Sequence, residues 1–144
     1  VLSRYRNFSL LGFAAVLSCF VASCSDSKIV QCQKIAQISQ KISQQAQSSR
    51  HSQDPQKIEE TAQRFADSAK ELDNLNLSDT TLADYKKELS TVYQRYWQST
   101  ILMLKALENK DIKTARLAKQ QVIDTSKNEK TVGEQIGQYC QGSG

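Results

Sequence analysis

With 144 residues the chain is one domain at most, and a net charge of +4 at pH 7 is too mild to mark a nucleic-acid-binding surface. One histidine, one proline and five scattered glycines exclude a multi-histidine metal face and a glycine-rich phosphate loop.

The chain opens on a short basic front, Arg4 and Arg6. From Phe8 to Ser23 there is no charged residue, and Leu10, Leu11, Phe13, Val16, Leu17, Phe20 and Val21 dominate. As a helix this stretch would reach roughly 24 Å, short of the ~30 Å hydrocarbon core of a bilayer. It therefore reads as the apolar region of a cleavable targeting segment over residues 1–23. The alternatives are an uncleaved anchor and an ordinary secretory signal.

The run ends in Val21-Ala22-Ser23-Cys24. An aliphatic residue, two small residues and a cysteine, placed after a basic front and an apolar run, resemble the lipobox of bacterial lipoproteins. The resemblance covers the first 24 residues. It implies that Cys24 is lipidated and becomes the new N-terminus. It places the mature chain on the outer face of the cytoplasmic membrane or on the periplasmic, envelope side. The membrane would then be one partner through the anchor, since each buried methylene contributes ~0.8 kcal/mol. Removing residues 1–23 takes away Arg4 and Arg6 and no acid, lowering the charge from +4 to +2. Export argues against a nucleic-acid partner as well.

The four cysteines sort accordingly. Cys19 lies in the discarded run and Cys24 takes the lipid. Cys32 and Cys140 remain, and in the oxidising compartment that the resemblance implies they are expected to form a disulfide. The other reading is a pair of free buried thiols.

Residues 24–28 read as a tether. From Ile29 a helical period begins, with Cys32, Ile35, Ile38, Ile42 and Ala46 on one face and Gln, Ser and Lys on the other. Gln47 to Gln53 loses the period and reads as a loop. Asp54-Pro55 is a helix start: the carboxylate accepts from free amides, and proline lacks the N–H left unpaired there. Ile58, Ala62, Phe65, Ala66, Ala69 and Leu72 then form a stripe, ended by Asn74 to Leu77. Ser78 or Asp79 caps a third helix, carried by Leu82, Tyr85, Leu89, Val92, Tyr96, Met103 and Leu107 to about Glu108. Asn109-Lys110-Asp111 predicts a tight turn, with Asp111 as the next cap. Ile112, Ala115, Ala118, Val122, Val132, Ile136 and Tyr139 continue the beat. Thr125 and Glu129 stand in core phase and predict a kink or break near 124–130. The tail 141–144 is expected to fray.

Four amphipathic helices over residues 29–140 with short connections predict an all-α, antiparallel, up-down-up-down four-helix bundle. That topology brings the start of the first helix beside the end of the fourth, so Cys32 and Cys140 would meet. Gly133 and Gly137, one turn apart before Cys140, either admit the first helix closely or merely weaken the fourth. In outline the layout resembles the small lipid-anchored four-helix extrinsic subunits of photosystem II. No residue motif is shared, so no residue role is carried over.

Catalytic chemistry finds no set of residues. His51, beside Arg50 and Ser52, reads as an exposed loop residue. Glu59, Glu60, Asp67 and Glu71 read as a solvated face, and Lys110, Lys113, Arg116 and Lys119 as a solubilising one or a contact for anionic lipid or an acidic partner. Neither an enzyme nor a metal is expected, and no cofactor beyond the covalent lipid on Cys24. The most suggestive stretch is Val92–Leu107, whose apolar residues spread over nearly half the helix circumference. Either this helix is the most buried rod, or Trp97, Ile101 and Leu102 form an exposed patch that docks a protein partner. The expectation is thus a non-enzymatic interaction or accessory module at a membrane or in the envelope. The alternative is a carrier of a small apolar ligand in the bundle core, lined by Tyr85, Tyr96, Trp97 and Met103.

Overall fold

The computed structural model describes residues 26–49 and 51–142. The expected targeting segment 1–23, including Val21, Ala22 and Ser23, and the lipidation residue Cys24 lie outside them. The described chain is all-α. Helices α1 (Lys28–Ser49), α2 (Pro55–Asp73), α3 (Thr80–Glu108) and α4 (Ile112–Gln141) form an antiparallel up-down-up-down bundle.

Three aspartates start three of these helices as local chemistry requires. Asp54 accepts from the Gln56 amide at 3.0 Å, with Pro55 in the first turn. Asp79 accepts from the Leu82 amide at 2.9 Å and Asp111 from the Thr114 amide at 3.0 Å. Each satisfies an amide that has no partner inside the helix. The α3–α4 turn closes as a Schellman motif. Lys110 takes the left-handed conformation at φ 58°. Its amide donates to the Leu107 carbonyl at 3.0 Å, and the Asp111 amide to the Ala106 carbonyl at 2.8 Å.

The central helix is α3, which packs extensively on α2 and α4, while α1 rests chiefly on α2 and touches α3 and α4 sparsely. The core joins Cys32, Ile35, Ile38 and Ile42 of α1 to Ala69 and Leu72 of α2, Leu82, Leu89, Val92 and Tyr93 of α3, and Val132 of α4. Phe65 stacks on Tyr96 with ring centroids 4.6 Å apart and meets Tyr93 edge-on at 5.6 Å. The buried Ser90 hydroxyl donates to the Ala69 carbonyl at 3.3 Å, so its burial leaves no unpaired donor. Among the described residues the buried core cluster runs from Cys32 to Val132.

Cys32 and Cys140 are bonded, with alpha carbons 6.1 Å apart across 108 positions. This is the juxtaposition that the up-down-up-down topology demands.

Three local expectations are corrected. Helix α1 does not end near Gln47 but runs to Ser49, because glutamine suits a helix and the Thr61 hydroxyl donates to Ser49 Oγ at 2.6 Å. Helix α4 does not break at 124–130. Thr125 is buried but donates to the Gln121 carbonyl at 2.7 Å, and Glu129 accepts from the Tyr96 hydroxyl at 2.8 Å, so both polar residues are satisfied within an unbroken helix. Leu107 and Ile112, expected on the core stripe, are half exposed at 50% and 53%. They sit where α3 and α4, 29 and 30 residues long, outreach the 19-residue α2. Of the two readings of Gly133 and Gly137, close approach of the first helix is not seen: a Cβ at either position would meet nothing within 4 Å.

Candidate functional site

The sparse contact between α1 and α4 leaves a groove along their seam. Ile29, Cys32, Gln33, Ile35, Ala36, Ser39 and Ser43 of α1 form one wall. Glu129, Gly133, Ile136, Gly137 and Cys140 of α4 form the other, and Leu89 and Tyr93 of α3 form the floor. The groove encloses about 600 Å³, within the range of small-molecule sites. The two glycines keep the α4 wall low. The disulfide ties the walls together at one end, and the polar residues Ser39, Ser43 and Glu129 gather toward the other.

Electrostatics give the groove a direction. Among the described residues Glu129 is the sole charged one lining it, and its carboxylate holds the Tyr96 hydroxyl. Burial pushes the Tyr96 hydroxyl well above its ordinary range, against hydrogen bonding with Ser126, while the Glu129 charge raises it further. Burial likewise pushes Tyr93 up to about 12, opposed by a hydrogen bond with Ser39. Neither phenol is therefore a base at neutral pH. At the disulfide end Lys28 stands one turn before Cys32, its ammonium 3.6 Å from the centre of the Tyr139 ring.

A polar clasp holds that end. Gln31, almost fully buried, donates from Nε2 to the Asp26 carbonyl at 2.6 Å and to the Ser78 hydroxyl at 2.9 Å, while its Oε1 accepts from the Asp79 amide at 3.0 Å. The Tyr139 hydroxyl donates to the Asp79 carboxylate at 3.0 and 3.1 Å. The Leu82 amide holds the Asp79 carboxyl below its usual range, helped by Tyr139, the Thr81 amide and the Lys28 charge, and opposed by desolvation.

The residues expected to line a ligand site do not line this groove. Tyr85 packs edge-on to Tyr139 at 6.0 Å, Tyr96 stacks on Phe65, and Trp97 and Met103 are half-buried elsewhere on α3. The expected docking patch divides. Ile101 borders a depression toward Pro55 and Glu59 of α2, whereas Leu102, 43% exposed, borders another toward Gln121 and Thr125 of α4. Trp97 is half-buried and lines neither. His51 is exposed, as are Lys110, Lys113, Arg116 and Lys119. Of the acidic residues on α2, Glu71 pairs with Lys41 at 3.0 Å and Asp67 accepts from Gln63 at 3.2 Å.

Sequence reasoning missed the groove because it followed only the deepest stripe of each helix. The available signal was a second stripe on α1, Ile29, Ala36, Ser39 and Ser43, beside the isoleucines, facing the Gly133/Gly137 pair on α4. Among the described residues no group of three His, Cys, Asp or Glu is placed to hold a metal, and no helix is long and apolar enough to cross a membrane. No protein family, curated protein or solved structure matches the chain.

Proposed function

We propose that the chain is an exported, lipid-anchored, non-enzymatic accessory module that works at a membrane surface on the envelope side. The observation that carries this reading is the Cys32–Cys140 bond, which ties the two ends of the bundle across 108 positions. Such bonds persist in oxidising compartments and are rare in the cytosol. The Val21-Ala22-Ser23-Cys24 sequence upstream supplies a matching address and an anchor.

The test is membrane fractionation of cells carrying the chain or its Cys24→Ala variant, followed by protease treatment of intact spheroplasts. The wild type should sediment with membrane and be cleaved from outside. The variant should lose its anchoring. A wild type that stays in the cytosol, protected and with alkylatable Cys32 and Cys140, would overturn the reading.

Two modes of action fit such a module. Docking of a protein partner is the first, and because Ile101 and Leu102 face different depressions and Trp97 lines neither, it would rest on the exposed Leu102 rather than on one patch of three residues. Leu102→Ala should then weaken partner capture while helical circular dichroism persists, and unchanged capture would reject it. Carriage of a small apolar ligand is the second, and it is favoured by a specific observation: the groove between α1 and α4 is apolar, open and bordered by one charged side chain.

A further inference from the structure

We infer that the α1–α4 groove holds one free long-chain fatty acid, with its chain over Gly133 and Gly137 and its carboxylate at Lys28. Its orientation toward a membrane rests on the anchoring proposed above; the binding itself does not.

Shape excludes bulkier occupants. The wall from Ile29 to Ser43 spans roughly 21 Å at 1.5 Å per residue, more than the ~15 Å that one leaflet's share of the hydrocarbon core allots to an acyl chain. Its disulfide end is tied at 6.1 Å between alpha carbons, whereas a seated helix needs ~10 Å of width. A partner helix therefore cannot enter between the walls at that end, which favours a thin occupant such as a single hydrocarbon chain.

The glycines are the second strand of the inference. Each weakens the interior of α4, and neither is needed for packing, since a side chain there would meet open space. Their physical effect is to leave the groove unfilled over two successive turns.

Charge sets the head. Glu129 at the far end would repel a carboxylate. Lys28 does not line the groove but stands next to its lining residue Ile29 at the disulfide end, over the Tyr139 ring, where its ammonium would attract one. Among the described residues the rest of the lining carries no charge, which suits an aliphatic chain. The other groups facing Lys28 are the Tyr139 ring beneath it and Asp79, which feels its charge. A fatty-acid head would share that ammonium with them.

The test uses residues 26–144, which hold all four described helices and lack Cys24, with folding checked by circular dichroism, so its outcome is independent of processing and anchoring. Palmitate and hexadecanol are titrated by calorimetry against wild type, Gly133→Leu/Gly137→Leu and Lys28→Gln, and each protein's melting temperature is read in parallel. Wild type should bind one palmitate per chain. The double leucine variant should lose at least tenfold in affinity while melting no lower than wild type, because leucine is the better helix former. Lys28→Gln should weaken palmitate several-fold and leave hexadecanol unchanged.

Absence of saturable palmitate binding by folded wild type, or equal affinity in the double leucine variant, would overturn the groove as the site. Equal weakening of both ligands by Lys28→Gln would overturn the placement of the head. A failure here together with correct membrane anchoring of the full chain would leave the accessory-module reading standing and remove this one.

Discussion

Lys110 is held at φ 58°, where a Cβ is costly and glycine is not. The asparagine and aspartate of Asn109-Lys110-Asp111 made the turn legible in the sequence, but not which residue would take the left-handed position. Lys110→Gly should raise stability by about 1 kcal/mol, read by urea unfolding at equal slope. A loss of stability would contradict the cap geometry. Asp79 belongs to the same scale. Its lowered carboxyl contributes stability that is complete above the unfolded value of about 3.9 and is lost as pH falls through the folded value. Asp111 and Asp124 are lowered as well, the first by Thr114 and the second by Lys127 and Gln120. The melting temperature should therefore drop below about pH 4, and Asp79→Asn should flatten part of that drop, since asparagine still caps but carries no charge. At the alkaline end the sign reverses. Tyr93 is raised to about 12, so the stability it contributes is complete below pH ~10 and is lost between there and about 12. Tyrosine absorbance during an alkaline titration should show one or more phenols ionising together with loss of helicity.

At the scale of the element, the three capping aspartates and the 3.6-residue stripes made the helices readable because both signals are local. What the sequence did not disclose were the outcomes that depend on a neighbour. Helix α4 passes through Thr125 and Glu129 because Gln121 and Tyr96 receive them, and Tyr96 is 33 positions from Glu129. Helix α1 keeps its last turn partly because Thr61, on the next helix, reaches Ser49. Gln31 was hidden for the same reason: as a glutamine among glutamines it has no pattern, yet it is buried and makes three hydrogen bonds, to Asp26 and to the α2–α3 loop. Gln31→Ala should cost about 1–3 kcal/mol, because it leaves the Asp79 amide without its partner and opens a void. Chemical denaturation would read this, and hydrogen exchange should place the loss at the start of α1 and in residues 74–79. A change below about 0.5 kcal/mol would show the clasp to be dispensable.

For the whole molecule, the bundle and the pairing of Cys32 with Cys140 followed from helix count and short loops, since alternating directions leave first and last ends adjacent. The groove did not follow. It arises because α1 sits on α2 more than on α4, a packing choice to which no single stripe points. That imbalance makes α1 the helix most dependent on the disulfide. In the chain-entropy model a loop of about 100 residues contributes up to ~4.7 kcal/mol, comparable with the lower end of total domain stability at about 5 kcal/mol. Cys32→Ser/Cys140→Ser should lose about 2–5 kcal/mol, with amide protection falling first in α1 and persisting longest in α3. Uniform loss across all four helices would place the weak seam elsewhere.

The proposed export and anchoring, and the pairing of the bundle's two ends, turn on the state of three sulfur atoms, and mass spectrometry of protein taken from its source cells without reductant reads all three. The expected result is a mature chain beginning at an acylated Cys24, with the peptides that contain Cys32 and Cys140 joined. An unprocessed, acyl-free chain in which Cys32 and Cys140 are free thiols would contradict it.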